Sequence, residues 1–101
     1  MRNEHGVSKV TFVKKVRAYC PLGRQEYEAN IECIVKCGDT IPDYLELDSD
    51  IDGINGDMLT VEALARSVHD MTMKAFGGAQ VDTVVSVGQS KHFPVTVEVS
   101  N

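Results

Sequence analysis

The sequence predicts a single α+β domain in which an antiparallel β-hairpin, a loop, a helix and a second β-hairpin follow one another. Apolar and polar residues alternate along four stretches, as in half-buried strands. One stretch between the second and the third has the spacing of an amphipathic helix. With 101 residues the chain can build one modest core and not two. The domain is therefore expected to span residues 1 to 101, with a flexible N-terminus over residues 1 to 8.

The first hairpin is predicted over residues 9 to 37. Along residues 9 to 19 only Lys14 interrupts the apolar face, and residues 25 to 37 alternate without interruption. The stretch CPLGR between them contains the Pro and Gly of a turn. The apolar face of the second strand holds Tyr27, Ala29, Ile31, Cys33, Val35 and Cys37. Core packing therefore accounts for Cys33 and Cys37, which have no further Cys or His pair to complete a zinc site.

Residues 38 to 60 form an acidic connection that is predicted to be irregular. A connection of this length in a small domain is usually functional or contains a short helix. The helix that follows is predicted from Val61 to Phe76, with Thr60 as its N-cap and Gly77-Gly78 as its stop. His69 lies in mid-helix beside Asp70 and is expected to be solvated.

The second hairpin is predicted from alternating residues over 81 to 87 and 93 to 99, joined by GQSKH at 88 to 92. One helix can cover only part of one face of a four-stranded sheet. Two sheet edges would also keep unpaired backbone groups, which are ready to pair with another chain. The sequence therefore predicts a homo-oligomer.

Composition and charge exclude several classes of partner. The net charge of −5, with scattered Lys and Arg, argues against binding to nucleic acid. No apolar run is long enough to span a membrane, and the polar N-terminus does not resemble a secretory signal. Three cysteines cannot all pair within the chain, so we expect a reduced, cytoplasmic protein.

The stretch DSDIDGINGD, residues 48 to 57, suggests a calcium loop. Asp48, Asp50, Asp52 and Gly53 occupy the first, third, fifth and sixth positions of an EF-hand loop. The twelfth position, which requires a bidentate Glu, is Leu59. Such partial patterns also occur in solvated acidic loops, so both interpretations stay open.

Cys20 stands beside the predicted turn and also has two interpretations. It is a half-buried residue at the end of a strand, or it is a nucleophile activated by a nearby cation such as Arg17 or Arg24. Glu62, in the first turn of the helix, is favoured there by the helix dipole whatever its function.

Three segments together carry a resemblance to a known family: CPLGRQEYEANI at 20 to 31, LELDS at 45 to 49, and TVEALA at 60 to 65. They are similar to segments of the tunnelling-fold (T-fold) proteins. The branch they resemble contains the 7-cyano-7-deazaguanine (nitrile) reductases of queuosine biosynthesis, a tRNA modification, and the short archaeosine-forming relatives. The resemblance covers residues 16 to 99.

This resemblance implies a role for each candidate site residue. Cys20 would add to a nitrile carbon and form a covalent thioimide, and Glu62 would anchor the guanine-like edge of the base. Glu46 and Ser49 would contact the deazapurine. The resemblance also implies a small-molecule heterocycle as the partner, sites formed between subunits, and NADPH as the cofactor if the protein is a reductase.

The chain departs from the family pattern at several positions. Tyr27 stands where the family has an acidic proton donor, seven residues after the nucleophile. Val61 replaces a His, Asp48 replaces a Lys, and IDGINGD replaces a segment that contains Arg. The sequence therefore assigns no cofactor-binding residue.

Two hypotheses follow. In the first, the chain binds a nitrile-bearing 7-deazaguanine, or a related purine-like or pterin-like heterocycle, and converts it through Cys20. In the second, it is a non-catalytic oligomeric binding or assembly module whose acidic loop takes up calcium.

Overall fold

A computed structural model describes residues 1 to 88 and 92 to 101 and confirms the α+β prediction. One antiparallel sheet has its strands in chain order: β1 (Lys9–Cys20), β2 (Gln25–Lys36), β3 (Gln80–Val87) and β4 (Val95–Ser100). Two helices lie between β2 and β3 in the chain: α1 (Tyr44–Asp52) and α2 (Val61–Ala75). The turn predicted over residues 88 to 92 falls largely on residues 89 to 91, outside the described residues.

The turn end of the first hairpin projects past the third strand. β1 and β2 pair along their whole length, from Lys9 opposite Lys36 to Cys20 opposite Gln25. β3 pairs only with residues 30 to 36 of β2. The last residues of β1 and the first of β2 therefore project past β3, and Cys20 lies at this projecting end.

The core lies between the sheet and α2, whose apolar stripe covers one face of the strands. Burying one Val, Leu or Ile side chain stabilises a fold by about 1.5–3 kcal/mol. The buried apolar residues of the strands and α2 are Val16, Ala18, Tyr27, Ala29, Ile31, Cys33, Val35, Leu64, Ala65, Val68, Val81, Val85 and Val87.

The prediction that His69 is solvated was wrong, because its side chain is fully buried and its Nδ1 lies 3.0 Å from the Thr83 hydroxyl.

The acidic connection contains helix α1 and is not wholly irregular. Asp43 is its N-cap, and its carboxylate accepts hydrogen bonds from the backbone N–H groups of Leu45 and Glu46. Leu47 and Ile51, four residues apart, are buried on the same side of the helix. Pro42 does not prevent this helix, because it precedes the N-cap.

Lys14, which interrupts the apolar face of β1, binds two carboxylates of α1. Its ammonium lies 2.7 Å from a carboxylate oxygen of Asp48 and 2.7 Å from one of Asp52. The hydrogen bond to Asp48, followed by that to Asp52, raises the pKa of Lys14 above its usual 10.5. Lys14 therefore stays charged at neutral pH and holds α1 against β1.

The calcium-loop prediction was wrong because its carboxylates are helical. Asp48 and Asp52 are one turn apart and bind Lys14, while Asp50 lies on the other side of the helix. Gly53 has a helical φ of −60°, so it does not make the sharp turn of a calcium loop. Within residues 1 to 88 and 92 to 101, no group of three or more His, Cys, Asp or Glu side chains could hold a metal ion.

The segment of residues 55 to 59 covers part of the outer edge of β1. The backbone of Arg17 accepts a hydrogen bond from Gly56, and that of Tyr19 bonds to Asp57 and Leu59, at 2.9 Å each. The edge of β1 at residues 9 to 15 and the outer edge of β4 have no strand partner among the described residues. This open sheet is consistent with completion by another chain.

Residues 1 to 8, expected to be flexible, make hydrogen bonds to the stretch after β2. The Asn3 side-chain amide donates to the carbonyls of Val7 and Gly38, and the Asn3 N–H donates to Asp39. These bonds place the N-terminal segment beside the end of the first hairpin.

Helix α2 ends in a Schellman motif, as the Gly77-Gly78 pair predicts. The Gly77 N–H donates to the Lys74 carbonyl and the Gly78 N–H to the Met73 carbonyl. Both glycines have positive φ, +69° and +86°. A Cβ on Gly77 would lie 2.8 Å from the Thr40 hydroxyl oxygen, whereas a Cβ on Gly78 would meet nothing within 4 Å.

We therefore expect Gly77→Ala to destabilise the protein more than Gly78→Ala. Both substitutions place a Cβ at positive φ, which costs about 1–2 kcal/mol. Only Gly77→Ala also crowds Thr40, which adds about 1 kcal/mol. Urea denaturation of both variants measures the difference, and equal losses would contradict the Thr40 contact.

Lys14→Met should lower the free energy of unfolding by about 1 kcal/mol, because two half-exposed carboxylates then lose their shared cation. The control is Lys15→Met, since Lys15 is exposed and 3.9 Å from Glu28. We expect it to change stability by less than about 0.5 kcal/mol. Because the folded pKa of Lys14 is raised, its contribution is complete below pH 10.5 and is lost as the pH rises further. Urea midpoints of the three proteins at neutral and alkaline pH check both statements.

Candidate functional site

Cys20 is the last residue of β1, where the chain enters the tight turn to β2. Its carbonyl accepts a hydrogen bond from the Arg24 N–H at 2.8 Å, and Arg24 has a positive φ of 49°. The thiol is half-buried and continues the inner face of the sheet from Val16 and Ala18. Cys20 is therefore reachable from solvent and held by the geometry of the turn.

The predicted activating cation Arg17 does not face Cys20. Arg17 lies on the outer face of β1, where its guanidinium is 3.3 Å from Glu26 and 3.8 Å from Glu28. Residues of opposite parity on a strand point to opposite faces. Arg24 lies closer to Cys20, but the hydrogen bond between them is made by its backbone.

Tyr27 lies beneath this thiol on the inner face of the sheet, opposite Ala18. Its hydroxyl donates a hydrogen bond to the Leu59 carbonyl at 2.5 Å. Burial, followed by the negative charges of the Cys20 thiolate and the Glu62 carboxylate, raises the pKa of Tyr27 to about 12. The phenol is therefore neutral at physiological pH and keeps its bond to Leu59.

Glu62 reaches the same region from the first turn of α2. Thr60 caps this helix, with its hydroxyl accepting a hydrogen bond from the Ala63 N–H at 3.2 Å. The Glu62 side chain is exposed, so it is open to a ligand. The negative charges of both Cys20 and Glu62 act on the Tyr27 phenol, so both side chains lie in the neighbourhood of Tyr27.

The position of Glu62 depends on two contacts that sequence reasoning did not predict. The Leu59 N–H donates to the Tyr19 carbonyl, and the Leu59 carbonyl accepts from Tyr27. Leu59 is thus fixed to both strands of the first hairpin, immediately before the cap of α2. No local sequence signal marks these contacts, because they join residues 32 or more positions apart.

Glu46 and Ser49 lie elsewhere on the chain. Both are exposed on α1. Glu46 lines a groove of about 610 Å³ with the last turns of α2, including Met71 and Lys74. At 1.5 Å per residue, this part of α2 is about 14–20 Å from Glu62. The structure therefore places Glu46 near the opposite end of α2 from Glu62.

Cys33 is the fully buried thiol among the described residues, and it is packed in the core. The Cys33 sulfur lies 3.6 Å from the Thr83 hydroxyl and 3.8 Å from the Thr72 hydroxyl, under α2. Burial raises the pKa of the Cys33 thiol, so it remains protonated. This agrees with the predicted packing role of Cys33.

Comparison with known proteins shows what this geometry resembles. No protein-family model matches the sequence, and no curated protein matches it either. Among solved structures, the apo archaeosine synthase QueF-Like superposes with a TM-score of 0.85 at 15% identity, over 95% of each chain. A protein assigned as the dihydroneopterin aldolase FolB of Vibrio cholerae superposes with a TM-score of 0.66 at 17% identity, over 95% of this chain and 99% of that one.

The chain has the tunnelling fold. The predicted fold is thus confirmed: this chain has four antiparallel strands and two helices, and it superposes on both solved structures over 95% of its length. In this tunnelling-fold domain, the projecting end of the first hairpin carries Cys20 and the start of α2 carries Glu62. None of the helices in the described part of the chain is long and apolar enough to cross a membrane.

Proposed function

We propose that this tunnelling-fold protein binds a flat nitrogen heterocycle between Cys20 and Glu62, and that Cys20 forms a thioimide with a nitrile-bearing 7-deazaguanine. One observation carries the proposal. The half-buried thiol at the end of β1 and the exposed carboxylate at the start of α2 flank the same buried tyrosine, Tyr27. A nucleophile and an anchor for ring N–H groups are thus on one side of the molecule.

The covalent step is an addition with no leaving group. The Cys20 sulfur bonds to the nitrile carbon, the carbon–nitrogen triple bond becomes a double bond, and the thiol proton ends on the nitrogen. A covalent intermediate of this kind divides a difficult reaction into easier steps. The step transfers no hydride, so it does not require NADPH.

Glu62 supplies the orientation in this proposal. A carboxylate accepts two hydrogen bonds from adjacent N–H groups of a guanine-like ring, and charged acceptors form the stronger hydrogen bonds. A carboxylate is a favourable residue at the start of α2, because the N-terminal end of the helix dipole is positive. A ligand lacking these N–H groups would leave the carboxylate without its partners.

The solved structures support the ligand class. The archaeosine synthase and the dihydroneopterin aldolase are named for a deazaguanine-type and a pterin-type compound, both fused nitrogen heterocycles. We propose that a heterocycle of one of these types lies between the Cys20 thiol and the Glu62 carboxylate. The nitrile is proposed because a thiolate adds readily to its electrophilic carbon.

Glu46 and Ser49 can support the ligand only from a second copy of the chain. Within one chain most of the length of α2 separates Glu46 from Glu62, and we propose the same origin for Ser49, which lies on the same helix as Glu46. The open edges of β1 and β4 favour such an assembly, and we propose a homo-oligomer. These edges also favour a second candidate function, a non-catalytic assembly module.

The first prediction concerns the thiol. After incubation with 7-cyano-7-deazaguanine, intact-protein mass spectrometry should show an increase equal to the whole mass of the ligand, because nothing leaves in the addition. Cys20→Ala should abolish the increase. Cys37→Ala is the matched control, since Cys37 is also half-buried on the sheet, and it should retain the adduct.

Two results would contradict this prediction. No adduct on the unmodified chain at saturating ligand would exclude thioimide formation and favour the assembly module. An adduct that persists in Cys20→Ala and disappears in Cys37→Ala would move the nucleophile to Cys37.

The second prediction concerns the anchor. Glu62→Gln should weaken equilibrium binding of a 7-deazaguanine about 10- to 100-fold, because the charged acceptor is lost. Glu26→Gln, on the outer face of β2, should leave the Kd within about twofold. Titration calorimetry in a Cys20→Ala background measures binding without the covalent step. Equal effects of the two substitutions would contradict the role of Glu62.

A further inference from the structure

The turn between β1 and β2 has a glycine where its backbone does not require one. Among residues 21 to 24, the positive φ of 49° belongs to Arg24, whereas Gly23 has no positive φ. A residue with a Cβ is strained at positive φ, and glycine is favoured there. Moving the glycine by one position would therefore relieve the turn, so the conformation of the backbone explains neither residue.

The strain at Arg24 is not offset by contacts of its side chain. Within residues 1 to 88 and 92 to 101, the Arg24 guanidinium makes no ion pair and no hydrogen bond, and only the backbone N–H bonds to Cys20. Backbone strain of this kind is found mainly at functional sites. The explanation for the order Gly23-Arg24 therefore has to come from what lies beside the turn.

The Cys20 sulfur lies beside Gly23. A Cβ built on Gly23 would have the Cys20 Sγ as its nearest neighbour, at 4.0 Å. This is an ordinary van der Waals distance, so a side chain would fit at position 23 without a clash. It would nevertheless cover that flank of the sulfur. The absence of a side chain at Gly23 therefore leaves this flank open.

The open flank of the thiol is the one that faces solvent. All four turn residues, 21 to 24, are exposed. The opposite flank packs on the core, in line with Ala18, which is fully buried. A molecule from solution therefore reaches the sulfur from the side on which Gly23 lies, and not through the core.

From this geometry we infer that Gly23 sets access to the Cys20 thiol and leaves room beside the sulfur for a flat ring that carries an electrophilic carbon. Reacting atoms have to approach to about 3–3.5 Å. A methyl group 4.0 Å from the sulfur would occupy part of the space through which the carbon arrives. The identity of the ring rests on the proposed function, whereas access to the thiol does not.

Access is tested without ligand by alkylation with iodoacetamide in a Cys37→Ala background, where Cys33 is buried and Cys20 is the reachable thiol. The sulfur displaces iodide from the methylene carbon, and the thiol proton passes to the buffer. Gly23→Ala should slow the reaction about threefold and Gly23→Val about tenfold, because the incoming carbon has to displace the new side chain. Intact-protein mass spectrometry against time gives the rates.

The matched control for alkylation is Gly38→Val. Gly38 has no positive φ, and a Cβ there would meet nothing within 4 Å. It follows the far end of β2, so its substitution should leave the rate within about twofold. Alkylation of Gly23→Val at the rate of the unmodified turn, or equal slowing by Gly38→Val, would overturn the inference.

A second pair of variants separates access from stability and charge. Arg24→Gly places a glycine at the positive φ, and Gly23→Ala combined with Arg24→Gly also returns a side chain to position 23. The double variant should unfold at a higher urea concentration than the unmodified chain. It should nevertheless be alkylated about threefold more slowly than Arg24→Gly alone, which has the same charge. Equal rates in these two variants, or no rise in the urea midpoint, would overturn the inference.

The placement of the ring is tested with 7-cyano-7-deazaguanine. Gly23→Val should slow formation of the adduct by a larger factor than it slows alkylation, because a fused ring needs more room beside the sulfur than a methylene carbon does. Equal slowing of the two reactions would overturn the placement of the ring beside Gly23. If the unmodified chain forms no adduct, the proposed function fails, while the alkylation rates still decide whether Gly23 sets access.

Discussion

The hold of Lys14 on two carboxylates of α1 is the constraint from which the site follows. A lysine on the core face of a strand needs its charge paired, and Asp48 and Asp52 pair it from one side of a short helix. With α1 held against β1, the chain after Gly53 runs along the edge of β1, where its backbone bonds to Arg17 and Tyr19. That path brings Leu59 to the end of the first hairpin and starts α2 there. There the hydrogen bonds of Leu59 to Tyr19 and Tyr27 fix the start of α2 to the first hairpin.

Tyr27 links the second strand to the start of α2 at the candidate site. Its phenol is neutral and bound to a backbone carbonyl, so it acts as a fixed strut between β2 and the start of α2. An acid at this half of the site would place a second carboxylate near that of Glu62, and burial would disfavour its charge. The tyrosine avoids that cost, and it also offers no readily ionised proton. This chemistry agrees with simple addition to a nitrile better than with reduction, which needs further proton transfers.

Much of the fold was predictable because alternation and helix caps are local signals. The strands, α2 and its glycine stop follow from them directly. Helix α1 also had a signal, Asp43 followed by Glu46 and by Leu47 and Ile51 four apart, but the spacing of the aspartates suggested a loop ligand set instead. His69 is buried next to Val68 in the α2 stripe, although a polar side chain at this position predicts exposure. Both incorrect predictions rested on the chemistry of single side chains, whereas the helical spacing of the apolar residues indicates the observed structure.

The site was predictable only in part, because its contacts join distant segments. Cys20 and Glu62 could be named from a resemblance, but their proximity depends on Leu59, which no local pattern marks. The edges carry a further constraint that one chain cannot display. The open edges of β1 and β4 are consistent with completion of the sheet by another chain, so side chains from a second chain can complete a site that one chain presents only in part.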